Sequence, residues 1–100
     1  MDLNSSQEIL DSIESQPGVI GTILMLTGSG VTIKTTLKDT EAAKYSSIVS
    51  DFIKRSKATV NSISPDDKIQ CLRIRSFKNE ILIFPDKVFT LIAIQDAMVA

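Results

Sequence analysis

Three short runs of the chain, VIGTILML (residues 19–26), EILIF (80–84) and VFTLIAI (88–94), are apolar almost throughout. A strand with apolar side chains on both faces must be covered on both, so these runs belong in the middle of a sheet. Two further runs alternate. In one, Val31, Ile33 and Thr35 alternate with Thr32, Lys34 and Thr36; in the other, Lys68–Ser76, Leu72 and Ile74 alternate with Arg73 and Arg75. Half-polar strands of this kind suit sheet edges. Thr27-Gly28-Ser29-Gly30, Lys78-Asn79-Glu80 and Pro85-Asp86-Lys87 supply tight turns, and tight turns join antiparallel neighbours. The chain therefore holds a hairpin of two strands and a meander of three. Joining the first strand to the fifth is the arrangement that leaves both polar strands outside, which predicts the order 2-1-5-4-3.

Two helices complete the pattern. Ser5-Ser6-Gln7-Glu8 has the form of a capping box, and Ile9, Leu10 and Ile13 follow at helical spacing, so a helix is expected from Ser5 to Glu14, stopped by Pro17-Gly18. A second helix, capped by Asp39 or Thr40, carries Tyr45, Ile48, Val49, Phe52, Ile53 and Val60 at intervals of three, four and seven. At about 100° per residue this stripe occupies an arc of roughly 140°, leaving Lys44, Asp51, Lys54 and Arg55 outside it. Asp51 and Arg55 are spaced for a helical ion pair. Ser64-Pro65-Asp66-Asp67 ends the helix.

A helix of about twenty residues is ~30 Å long and covers one sheet face. The first helix, half that length, is the only internal cover for the other. The predicted fold is thus an α/β sandwich of α+β type, a five-stranded antiparallel sheet with the long helix on one face and the short helix on the other. Its second face is left under-covered for a partner to bury, with Ile9, Leu10 and Ile13 of the short helix among the contact candidates.

At 100 residues, 43% hydrophobic and 23% charged, the chain is expected to form a single domain spanning residues 1–100. Eleven basic residues stand among twelve acids, for a formal net charge of −1, so no basic field draws nucleic acid. Met1-Asp2-Leu3-Asn4 lacks the pattern of a signal peptide and no apolar run reaches the ~20 residues of a membrane span. A single cysteine, Cys71, agrees with a reducing compartment, and the expected location is the cytosol, without membrane insertion.

Catalytic chemistry is poorly provided for. The chain has no histidine, which removes the commonest general base and metal ligand and excludes Ser-His and Cys-His nucleophiles. Cys71 on a strand reads as a small buried apolar residue. The Gly28-Ser29-Gly30 turn lacks the Gly-Lys-Ser/Thr of a phosphate loop and leads into a strand, and Asp66-Asp67 lacks the further ligands of a calcium loop. No catalytic, cofactor or metal residue is expected. Ser56, inside the apolar arc of the long helix, either returns its hydroxyl to the carbonyl one turn back or admits a second helix at close range.

Arg73 and Arg75 admit two readings. They either guard an exposed strand edge, or mark an edge that pairs with its own copy, with the arginines on the face where a third chain docks. The second reading makes Leu72 and Ile74 seam residues.

Several segments, in order, resemble the roadblock family of dynein light chains: Gly18-Val19-Ile20-Gly21, Ile33-Lys34-Thr35-Thr36, Tyr45, Leu72-Arg73-Ile74-Arg75-Ser76, Lys78-Asn79-Glu80-Ile81, Pro85-Asp86-Lys87 and Ile94-Gln95. The chain departs from the family pattern at Phe77, in the Ser29-Gly30 turn and in the Ala97-Met98-Val99-Ala100 tail. The resemblance implies a non-catalytic light chain that binds the dynein intermediate chain and stabilises the motor tail, in the cytoplasm and cytoskeleton or in a cilium or flagellar axoneme. It implies a homodimer, or a heterodimer with a related roadblock light chain, formed through Tyr45, Ile48, Val49, Phe52, Leu72 and Ile74, to which the close-approach reading of the long helix adds Ser56. Arg73, Arg75, Ile9, Leu10 and Ile13 are the candidate partner contacts. Related modules scaffold or activate small GTPases, which is the alternative function.

Overall fold

The computed structural model describes residues 2–98; Val99 and Ala100 of the tail singled out above lie outside the described residues. Elements follow in the order α1 (Leu3–Glu14), β1 (Val19–Leu26), β2 (Thr32–Thr35), α2 (Asp39–Ile63), β3 (Leu72–Arg75), β4 (Asn79–Pro85) and β5 (Phe89–Asp96). The five strands form one antiparallel sheet in the order β2-β1-β5-β4-β3, as the turn lengths and polar edges predict.

Each side of the sheet has its own apolar cluster. Ile23, Met25, Ile83 and Ile92 project toward α2 and meet Ala42, Val49 and Ile53. Leu24 and Leu91 project the other way and meet Leu10 of α1, with Phe84 and Phe89 at the margin. The opposite parities follow from the pleat: Ile92 faces Ile23 on one neighbour and Ile83 on the other, while Leu91 faces Leu24 and Phe84. Thr22 and Thr90, buried among these, bond to Glu14 at 2.8 Å and Thr27 at 2.7 Å, so neither hydroxyl is left bare.

The helix starts differ from expectation. Asp2 caps α1, its Oδ1 accepting from Ser5 N–H at 2.8 Å, so the helix begins before the Ser5–Glu8 pattern and that capping box does not form. The bond holds the Asp2 carboxyl below its ordinary range. Lys38 is the N-cap of α2 and makes no side-chain capping bond; Asp39 and Glu41 instead place acids in the first turn, where the helix dipole favours them.

Two strands differ as well. Leu24 pairs with Lys34 but Met25 with Thr32, so Ile33 is an extra residue and the strict alternation expected of residues 31–36 breaks there. Thr32 and Thr35 are the half-buried pair, and Val31 and Ile33 are exposed. β3 is four residues long, its ladder with β4 ending at Leu72, so the expected strand from Lys68 loses its first half.

Candidate functional site

Arg73 and Arg75 converge on one carboxylate. A tight turn joins β3 and β4, which puts Arg75 directly opposite Glu80. Arg73 Nε reaches Glu80 Oε1 at 2.8 Å and Arg75 reaches Oε2 at 3.2 Å, while Arg75 also donates to the Ala97 carbonyl at 3.0 Å. Glu80 is only 2% exposed. The hydrogen bond from Arg73 is the largest influence on its pKa, followed by burial acting in the opposite sense and then by the two positive charges; the outcome is a carboxyl below its usual range. The arginines are therefore the partners of a buried acid, and Ala97 N–H to the Lys78 carbonyl at 3.0 Å ties the end of β5 to the same hairpin.

A lowered folded-state pKa means that Glu80 stabilises the fold above the ordinary carboxylate range and loses that contribution as pH falls through the lowered value. Glu80→Gln is accordingly expected to lower the urea midpoint at neutral pH, with the gap from wild type closing on acidification. A gap independent of pH would mean that the charge of Glu80 contributes nothing.

The face of the sheet that bears α1 is only half covered. α1 packs on β1 and β5. Its Asp11 reaches back to Lys34 of β2 at 3.3 Å, and at about 100° per residue Ile9 and Ile13 lie on the opposite flank, looking over β4 and β3. There Leu82 and Phe84 remain half-buried, bordered by Arg73 and Arg75. Leu10 is wholly buried against the sheet, so of the three α1 candidates it belongs to the core, whereas Ile9 is exposed and Ile13 half-buried.

The α2 face is lopsided in the same direction. Ser46 of α2 bonds Thr32 of β2 at 3.0 Å, which fixes the serine flank of the helix toward that edge. Tyr45, Ile48 and Phe52 form the other flank and overlook β3 and β4, where Leu72 and Ile81 are half-buried. Ile48 is 60% exposed and Ile74 39%, whereas Val49 is buried. The predicted seam residues thus fall into one surface, except that Val49 serves the core. Ala42 and Ser46, absent from the sequence-predicted stripe, complete its buried side. Ser56 is half-buried and its hydroxyl makes no hydrogen bond within the described residues; on α2, Thr59 and Ser62 are the residues whose hydroxyls bond one turn back, to the carbonyls of Arg55 and Ala58 at 2.9 Å each.

The sequence reading missed Glu80 as the buried partner of the two arginines, although the tight β3–β4 turn already sets it across from Arg75. It also missed an open groove of about 780 Å³ between the end of α2, the loop before β3 and the β4–β5 turn, with Val60, Ile69 and Phe84 among its lining. Among the described residues no cluster of three or more acidic or cysteine side chains could hold a metal ion, and no helix is long and apolar enough to cross a membrane.

Comparison with known proteins agrees with the geometry. The model of the Roadblock/LC7 domain matches residues 5–96. Among solved structures, MglB of Myxococcus xanthus superimposes with a TM-score of 0.80 at 10% identity, covering 100% of this chain and 82% of that one. The gliding protein MglB of Thermus thermophilus gives 0.79 at 11%, covering 97% and 75%. A Roadblock/LC7 domain from Streptomyces avermitilis gives 0.80 at 8%, covering 91% and 77%. These bacterial likenesses overturn the expected assignment to dynein: the intermediate chain as partner, the motor tail, and the cytoskeletal, ciliary or axonemal location all fall with it. With the fold, the strand order and the matched residues in agreement, the chain belongs to the Roadblock/LC7 domain family.

Proposed function

We propose that this chain is a non-catalytic, single-domain scaffold that dimerises along β3 and α2 and presents the α1 side of the joined sheets to a small GTPase. The carrying observation is the lopsided cover of the sheet. Both helices lie toward β1, α1 on β1 and β5 and α2 on β2 and β1, which leaves apolar surface on both faces at β4 and β3. On the α2 side, Tyr45, Ile48, Phe52, Leu72 and Ile74 supply a surface that a second copy buries with its own α2. On the α1 side, Leu82 and Phe84 sit beside Arg73 and Arg75, and pairing two copies brings both arginine pairs together around two buried glutamates. That gives four cations to two anions beside an apolar floor, a surface suited to an acidic rim around an apolar anchor. A small GTPase is the partner class that the family resemblance offers beside dynein, and the likeness to MglB favours it.

Titration calorimetry with the purified small GTPases of the source organism, each in its GDP and GTP-analogue forms, tests the proposal. Wild type is expected to bind one of them, and Leu82→Asp to weaken that binding by at least about tenfold, because it removes apolar contact and sets a carboxylate opposite Arg73, cancelling part of the positive field offered to the partner. No binding in either nucleotide state would overturn it.

A further inference from the structure

The turn between β3 and β4 carries an aromatic side chain that stands out from the fold. Phe77 is 85% exposed, the most exposed of the large apolar residues described. The backbone beneath it is nonetheless tightly held. Ser76 N–H donates to the Asn79 carbonyl at 2.8 Å, Ser76 Oγ donates to the same carbonyl at 3.1 Å, and Asn79 N–H donates to Ser76 Oγ at 3.2 Å. The bonds from Ala97 N–H to Lys78 and from Arg75 to Ala97 brace the turn from the other side. An aromatic ring on a rigid turn costs little entropy to dock and is the kind of side chain that anchors interfaces.

The occupant follows from the strand beside it. Ser76 N–H donates to the Asn79 carbonyl across the turn, so the alternation of an antiparallel ladder aims the backbone groups of Ser76, Ile74 and Leu72 at β4 and those of Arg75, Arg73 and Cys71 outward. The outward row is free to pair with an antiparallel copy. If both α2 helices are to lie on one side of the joined sheet, the two-fold axis is perpendicular to it, and each residue must face one of the same parity. Of the registers that satisfy this, two pair three of the four β3 residues within the strands. Centred on Ile74, the ladder sets Leu72 against Ser76 and Phe77 against Cys71. Centred on Arg73, it sets Leu72 against Ile74 and, continued past the strand, Phe77 against Ile69. Whereas the first gives Ile74 its own copy but leaves Leu72 against a serine, the second gives Leu72 and Phe77 each a large apolar partner, with Cys71 against Arg75. Its one like-charge contact, Arg73 against Arg73, is offset because each guanidinium already holds its own Glu80 at 2.8 Å.

We infer that Phe77 is an intermolecular anchor, seated on Ile69 of a second copy of this chain in a β3 ladder centred on Arg73, and that this contact selects the identical chain as dimer partner. The inference rests on the dimer proposed above. Ile69 is half-buried beside the groove at the end of α2, so the ring closes one end of that groove in the partner.

Disulfide trapping reads the register directly, because residues opposed across an antiparallel ladder have Cβ atoms about 4.5–5.5 Å apart, near enough to be bridged with small shifts. In a Cys71→Ser background, Ile69→Cys and Phe77→Cys chains are oxidised with glutathione disulfide separately and as a mixture. The mixture is expected to form a covalent dimer, with neither variant doing so alone, and Phe77→Asp is expected to raise the dimer Kd by at least about tenfold in sedimentation. A mixture that stays unlinked while Cys71→Ser/Ile74→Cys links to itself would overturn the anchor and leave the dimer standing. Wild type sedimenting as a monomer at all concentrations would overturn the dimer itself.

Discussion

Ile92→Ala is expected to destabilise the fold by about 2–5 kcal/mol, the range for removing a fully buried branched side chain from a core that cannot collapse around the gap. Ile92 is completely buried on β5, the central strand, with Ile23 and Ile83 directly opposite on its two neighbours and Val49 and Ile53 of α2 in the same cluster. Backbone pairing on both sides fixes the strand, so the neighbouring strands cannot close the cavity. Small domains carry only about 5–15 kcal/mol in total, so the loss is a large share of it and should lower Tm by roughly 10 °C or more. Ile48→Ala is the control: Ile48 lies on the exposed flank of α2, and the folded monomer should lose no more than about 0.5 kcal/mol there. Equal losses at the two positions would contradict the two-layer core.

This asymmetry between Ile92 and Ile48 also marks what could be read in the chain. Strand order was legible because it follows from turn lengths and from which runs are apolar on both faces, properties carried by single segments. The stripe Tyr45–Val60 was legible as one apolar arc, but its division was not. Val49 and Ile53 enter the core while Ile48 stays outside, and the reason is that α2 sits off-centre, held toward β2 by the Ser46–Thr32 bond between elements far apart in sequence. The same limit hid the bulge at Ile33 and the cap at Asp2, where one side-chain oxygen decides between two competing starts. Glu80 was the reverse case. Its partners were legible from hairpin register, yet an acid at a strand start beside a turn reads as turn polarity until the ladder is counted through to Arg75. The arginines, which the sequence offers either as edge guards or as charges for a partner, each hold Glu80 and remain half-exposed or more, at 64% for the Arg73 side chain and 54% for Arg75. They offer a partner field and surface more than unmet hydrogen bonds.

Ile74→Asp is expected to separate fold from assembly. Ile74 sits on the outermost strand, faces Ile81 on β4, and is 39% exposed in the single chain. An aspartate there can keep its carboxylate in water, so the isolated fold should survive with a modest loss and an unchanged far-ultraviolet circular dichroism spectrum. In the paired edge the same carboxylate would be enclosed by Leu72 of the second copy and by the α2 flank, and Arg73 and Arg75, which point to the opposite face, could not pair with it. Burying an unpaired charge costs several kcal/mol, and about 3 kcal/mol corresponds to roughly a hundredfold in Kd. Sedimentation velocity over a range of micromolar concentrations should therefore find wild type as a dimer and Ile74→Asp as a folded monomer. If the variant dimerises as tightly as wild type, β3 is not the seam, and the exposed flank of α2 must meet its partner by a route that leaves this strand edge open.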